Sequence, residues 1–212
     1  MTYAQLVQSI KDWTANSETT FTGEIDFIIE LAEVRILRDT DLNAARKDAT
    51  ATLSKGDEFL SMPSGAAVLR SLQAVSSTGA RTYLLQKDKS FMDDYISDRS
   101  VEGSPRYYAH WDNDTIYIVP SPSADTTVEM SYTYRPSGLS SSTTTTWISI
   151  NAPDALLYAC LVEASLFMKE APDLTQSYTV KYQEALQRVI IEENLRNRTD
   201  EYRTRSLTLG EA

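Results

Sequence analysis

The run Val128-Glu129-Met130-Ser131-Tyr132-Thr133-Tyr134 alternates apolar and polar side chains without a break. A period of two puts Val128, Met130, Tyr132 and Tyr134 on one face of a strand and Glu129, Ser131 and Thr133 on the other. The next residues change the reading. Eight of the ten residues in 137–146 are Ser or Thr. Such a tract supplies no core and reads as a loop. Helix begins after it at Asn151-Ala152-Pro153-Asp154, a cap residue with an early proline. Leu156, Leu157, Cys160, Leu161, Ala164, Phe167 and Met168 then form an apolar helical face. Ala171-Pro172-Asp173 breaks that helix. A last one follows, with Tyr178, Tyr182, Ala185, Leu186, Val189 and Ile190 as its stripe.

Towards the N-terminus, strands extend back to about residue 47. Ala49, Ala51 and Leu53 alternate with Thr50, Thr52 and Ser54. Ala67, Leu69, Leu72 and Val75 form a second candidate with imperfect alternation, and 82–85 a third. A short helix or turn is expected over 90–96. Residues 107–111 and 115–119 flank Asp112-Asn113-Asp114, which reads as a hairpin turn. Residues 3–40 are helical. Leu6, Ile10 and Trp13 mark one helix. Ile25, Ile28, Ile29, Ala32 and Ile36 mark a second, with Thr22 as its expected N-cap.

The order is therefore helix pair, strands, helix pair. This is an α+β chain, read as a four-helix bundle carrying an inserted antiparallel β-sandwich. The expected domains are 1–45 with 147–200 for the bundle, 46–146 for the β module, and 201–212 as a flexible C-terminal arm.

Composition bounds the function. The 212 residues carry 20 Lys and Arg against 30 Asp and Glu, a net charge of −10. That field opposes wrapping by nucleic acid. One cysteine, Cys160, excludes an intrachain disulfide and any cysteine-rich zinc site. Cys160 lies on an apolar stripe and reads as a buried structural thiol. The one histidine, His110, sits among aromatics in a strand with no Ser or Asp partner placed by a motif, so it reads as a half-buried strand residue. The chain has no P-loop, no G-x-G-x-x-G and no G-x-S-x-G. Asp39, Asp41 and Asn43 imitate a calcium loop, but Ala44 and Thr50 stand where its Gly and Glu belong. No catalytic, cofactor or metal residue is assigned, and no enzyme is expected. The N-terminus lacks a signal-peptide pattern, and no apolar run is long enough to span a bilayer. The cluster Tyr107, Tyr108, Tyr117, Tyr132 and Tyr134 suits either a β core or an interface.

A family resemblance rests on ordered short motifs. These are Gly103-Ser104-Pro105-Arg106-Tyr107-Tyr108, Ile116-Tyr117-Ile118-Val119-Pro120-Ser121-Pro122 and Met130-Ser131-Tyr132-Thr133-Tyr134-Arg135-Pro136. Trp147 and Asp154-Ala155-Leu156-Leu157-Tyr158-Ala159-Cys160-Leu161-Val162-Glu163-Ala164 follow. In this order the chain resembles the head-to-tail adaptors of tailed bacteriophages, of the tail tubular protein A or gatekeeper type found in short-tailed phages. The resemblance implies a homo-oligomeric ring of twelve at the virion neck, assembled in the host cytoplasm. It implies a portal protein above, a distal tail or nozzle protein below, and DNA passing through without specific binding. No cofactor and no membrane are implied.

On that basis Arg196, Arg198, Arg203, Arg205, Leu207 and Leu209 are the expected portal-docking residues. Four of them put positive charge into ten residues of an acidic chain. Asp88, Asp93, Asp94, Asp98, Asp112 and Asp114 are the expected tail contacts. Two other classes stay open: a β-sandwich carbohydrate- or host-binding module on a helical support, and a small hydrolase.

Overall fold

The computed structural model of the protein describes residues 1–76 and 78–196. In chain order its elements are α1 (Tyr3–Thr14), α2 (Thr19–Asp39), β1 (Arg46–Leu53), β2 (Phe59–Ser61), β3 (Ala66–Val75), β4 (Arg81–Tyr83), β5 (Leu85–Gln86), α3 (Lys89–Tyr95), β6 (Glu102–Gly103), β7 (Tyr107–His110), β8 (Thr115–Val119), β9 (Ser121–Pro122), β10 (Thr126–Tyr134), α4 (Trp147–Asn151), α5 (Pro153–Met168) and α6 (Pro172–Arg196). The chain divides into two compact units: Met1–Ala44 with Ser137–Ala212, and Ala45–Pro136.

In the helical unit α1, α2, α4 and α6 all pack on α5. The reason lies in the composition of α5. Ala155, Leu156, Ala159, Cys160, Leu161, Val162 and Ala164 are buried, and they occupy nearly every side of the helix. A helix that is apolar all round has to be covered all round. The sequence assigned it one face; four helices surround it instead. The α2 stripe is buried in full at Ile25, Ile28, Ile29, Ala32 and Ile36. Thr2 starts α1 with a capping box through Gln5. Helix α2 starts before Thr22, whose hydroxyl donates to the Thr19 carbonyl instead of capping. Asn151 does not cap α5 either. It closes α4, which is opened by a capping box between Thr146 and Ser149, and Pro153 begins α5.

The β unit holds two four-stranded sheets, in the orders β1-β10-β3-β4 and β2-β8-β7-β5, and a two-stranded pair β6-β9. The pairing is antiparallel except for β5–β7 and β6–β9, which are parallel. Leu53, Leu69, Leu72, Val128 and Met130 of the first sheet share a core with Leu60, Tyr108, Ile116 and Ile118 of the second. The imperfect alternation of β3 has a local cause. Ser71 pairs with Ser131 but Leu69 pairs with Tyr132, so Arg70 is an extra residue on β3. That bulge lets Leu69 and Leu72, three apart, face the same core. The strand expected over 82–85 divides at Leu84. Arg81–Tyr83 completes the first sheet, and Leu85–Gln86 joins the second.

Leu161 is fully buried on α5. Leu161→Ala is expected to cost about 2–5 kcal/mol of stability through the cavity it leaves, read as a fall in the denaturant midpoint. Cys160 is also fully buried, and burial, with the nearby Glu33 and Glu163 carboxylates, pushes its thiol well above the ordinary range. A thiol reagent is expected to label it only in denaturant, so labelling of the native protein at the rate of a free thiol would contradict this packing.

Candidate attachment surfaces

The six aspartates expected to contact a tail all lie in the β unit and all are exposed. They differ in what their carboxylates do. Asp93 lies 3.5 Å from the Arg99 guanidinium, which also holds Glu58 at 3.0 Å. Asp98 accepts from the Ser100 hydroxyl at 2.7 Å and its backbone N–H at 3.0 Å, which hold its pKa below the usual carboxylate value. Asp112 accepts the Asp114 N–H at 2.8 Å and so shapes the hairpin turn, with the same effect on its pKa. These three are partly committed to local structure. Asp88 precedes α3 without a capping bond, Asp94 lies on α3, and Asp114 sits in the turn.

Aromatic side chains are what join these acids into one region. Met92 of α3 is buried with Ala109, Tyr117 and Val119, against Phe59, Ile96 and Tyr107. This cluster covers the face of the second sheet opposite the shared core, so β8 is buried on both sides. The Lys89 ammonium sits 3.5 Å above the Trp111 ring and ties the start of α3 to the hairpin. Trp111 in turn meets Phe59 and Tyr117 edge-on. The tyrosines therefore serve the core and the surface at once. Tyr108 and Tyr117 are buried, while Tyr83 and Tyr95 are exposed. His110 is exposed at the end of β7, not half-buried.

Of the expected portal contacts, Arg196 ends α6, and its guanidinium lies 2.9 Å from Glu193. Arg198, Arg203, Arg205, Leu207 and Leu209 lie outside the described residues.

The residue that sequence reading missed is Glu33. It lies on the buried side of α2, one place from Ala32. Its carboxylate accepts the Leu139 N–H at 2.7 Å and the Thr146 hydroxyl at 2.9 Å. Thr144 adds a second tie by accepting the Tyr3 N–H at 3.0 Å. Residues 137–146, counted with the β module in the sequence reading, thus belong with the helical unit. Backbone and hydroxyl donors in this polar tract satisfy a carboxylate that would otherwise be buried alone. Gly138 is part of the fit, because a Cβ there would come within 2.9 Å of the Glu33 carboxylate. A lone Glu beside an apolar stripe is the available sequence signal.

Charge is unevenly divided. The helical unit carries ten basic and eighteen acidic residues, the β unit ten and twelve. Among the described residues no cluster of three or more His, Cys, Asp or Glu is placed to hold a metal, and no helix is long and apolar enough to cross a membrane.

The sequence model of the SU10 adaptor protein family matches residues 1–209, and the chain belongs to that family. It is a bacteriophage structural adaptor, a component of the head–tail junction that interacts with portal and tail proteins. No curated protein matches the chain.

Glu33→Gln keeps an acceptor for Leu139 and offers a donor that the Thr146 hydroxyl can accept. It is expected to be at least as stable as the wild type, whereas Glu33→Ala is expected to lose about 1–3 kcal/mol. Burial raises the Glu33 pKa above its ordinary 4.5, outweighing the two hydrogen bonds that lower it. The folded state therefore binds the proton more tightly than the unfolded state. The stability of wild type relative to Glu33→Gln should rise as pH falls through the raised pKa towards 4.5, and level off below it. Paired denaturant titrations across that range measure the difference.

Proposed function

We propose that the protein forms a ring of twelve beneath the portal, continues the DNA channel and presents the tail attachment site, as adaptors of the tail tubular protein A or gatekeeper type do. The match to an adaptor family across residues 1–209 is the observation that carries this reading. The helical unit, with α1, α2, α4 and α6 packed on α5, lies side by side with its neighbours around the channel. Its excess of eight acidic charges supports a channel wall that repels phosphate, so DNA passes without sticking. The β unit acts as a sandwich that bears the tail attachment site, with Asp88, Asp93, Asp94, Asp98, Asp112 and Asp114 at its contact surface. The ring assembles in the host cytoplasm.

The C-terminal segment is the portal-docking arm in this reading. Arg196, Arg198, Arg203 and Arg205 supply charge, and Leu207 and Leu209 anchor into the portal as the arm orders on binding.

Negative-stain images of the purified protein mixed with its portal should show a second ring coaxial with the first. Truncation after Asn194 should leave melting within a few degrees of the full chain and abolish that ring. Wild-type protein that never joins the portal refutes the adaptor position. Normal docking by the truncated form refutes the arm.

A further inference from the structure

The outer side of α2 carries charge in a definite order. Phe27, Glu30, Leu31, Val34 and Arg38 follow at helical spacing and share one face. Phe27 and Leu31 remain 55% and 38% exposed, and Glu24, Asp26, Glu30 and Arg38 are exposed with them. Residues 13–34 hold five acids and no Lys or Arg, and residues 137–153 hold no charge at all. Between these two stretches lies a cleft of about 560 Å³, with Asp26, Phe27 and Glu30 on one wall and residues 137–140, 142 and 143 on the other. The Tyr3 hydroxyl donates to Asp26, a neutral contact that leaves the charge in place. The cleft is therefore acidic without a base among its own residues. Arg38 stands about 12 Å beyond Glu30 towards the C-terminal end of the helix, at 1.5 Å per residue.

Helix α6 brings the end of the chain to this helix. The Asn43 N–H donates to the Glu193 carboxylate at 2.8 Å, and Asp39, Thr40 and Asp41 share a depression with Ile190, Glu193 and Asn194. Sixteen residues follow Arg196: Asp200 and Glu201 come first, then Arg203 and Arg205, then Leu207 and Leu209. Residues 202–209 hold two Arg and no acid, and in extended form Arg203, Arg205, Leu207 and Leu209 fall on one face. We propose that residues 200–209 lie extended along α2 of the same chain, Asp200 and Glu201 against Arg38, Arg203 and Arg205 against Glu30 and Asp26, and Leu207 over the Phe27 ring. The lengths agree. At about 3.3 Å per residue the acidic pair reaches Arg38 from the end of α6, and the two arginines fall about 8–15 Å further on. Side chains of α2 lean towards its N-terminus, which brings Phe27 beneath Leu207. Exposed ion pairs are individually weak, but several act together here and the tether keeps the segment at the cleft. This docking goes beyond the adaptor reading and does not depend on it. Its consequence does: the covered leucines stay unavailable until a portal displaces the arm.

The test uses the full chain with Ser206→Cys carrying a nitroxide, Cys160 being buried and unreactive. In protein that is both isotope-labelled and spin-labelled, the amide signals of residues 24–31 and 138–143 should broaden. Isotope-labelled protein mixed with separately spin-labelled protein should show no such effect. Asp26→Asn with Glu30→Gln should lower the broadening by about fivefold or more, as two ion pairs acting together are lost. Arg203→Glu with Arg205→Glu should do the same, and touches no described residue if the α2 variant does not fold. Combining those arm changes with Asp26→Arg and Glu30→Arg should recover the broadening. Salt at about 1 M should weaken it, since the screening length falls to about 3 Å. Broadening spread evenly over the chain, confined to the β unit, or seen only in the mixture overturns the proposal, the last by assigning the cleft to a second copy. Broadening that neither charge variant changes overturns it too. Added portal should remove the broadening as it binds, and broadening that persists in the portal complex overturns the release. Wild-type protein that never binds the portal overturns the adaptor reading and leaves the docking standing.

Discussion

Everything in the helical unit follows from the need to cover α5. Its buried residues include Ala155, Leu156, Cys160, Leu161 and Val162, spread around the helix axis, so no single neighbour can shield it from water. Burying each large aliphatic side chain contributes about 1.5–3 kcal/mol. That drives α1, α2, α4 and α6 onto one helix, although α1 and α2 lie more than a hundred residues earlier in the chain. The β unit can be inserted between them because α5 holds both ends of the sequence together.

Glu33 shows how a polar loop becomes part of that arrangement. The tract 137–146 has almost no apolar side chains, yet Leu139 is buried and its N–H meets a buried carboxylate. An unpaired carboxylate at that depth would be strongly destabilising, and an unanchored loop would remain solvated. Each resolves the other's deficit. The Arg35–Glu163 ion pair and the Tyr182–Asp39 hydrogen bond extend polar contacts between α2 and the helices α5 and α6.

The two units differ in their surface chemistry. The helical unit concentrates the acidic excess, while the β unit is nearly balanced and carries the aromatic surface around α3. A repulsive field suits a wall past which DNA moves, and a clustered aromatic surface suits a partner that must stay attached. In the proposed ring both needs fall to one chain, whose units have separate compact bodies.

The sequence by itself determined the longer helices and strands and the adaptor class. Period-3.6 stripes at Ile25–Ile36 and in α5 and α6, and strict alternation in β10, are one-dimensional signals of what must face away from water. The motif order between Gly103 and Ala164 was enough to indicate a phage adaptor. What needed tertiary structure was every feature set by contacts distant along the chain. The sequence assigned one apolar face to α5, because a stripe does not reveal how many partners will cover a helix. The residue responsible for the broken alternation of β3 emerged only when Arg70 was seen as a bulge against β10. The division of residues 81–86 between two sheets depends on which partner strand each half finds. Glu33 was passed over because a buried carboxylate is legible only with its donors, and these are contributed by residues 139 and 146. The acidic tail contacts were chosen for charge. The fold also brings Leu85, Phe91, Tyr95 and Tyr107 together from three elements, a juxtaposition that no spacing along the chain encodes.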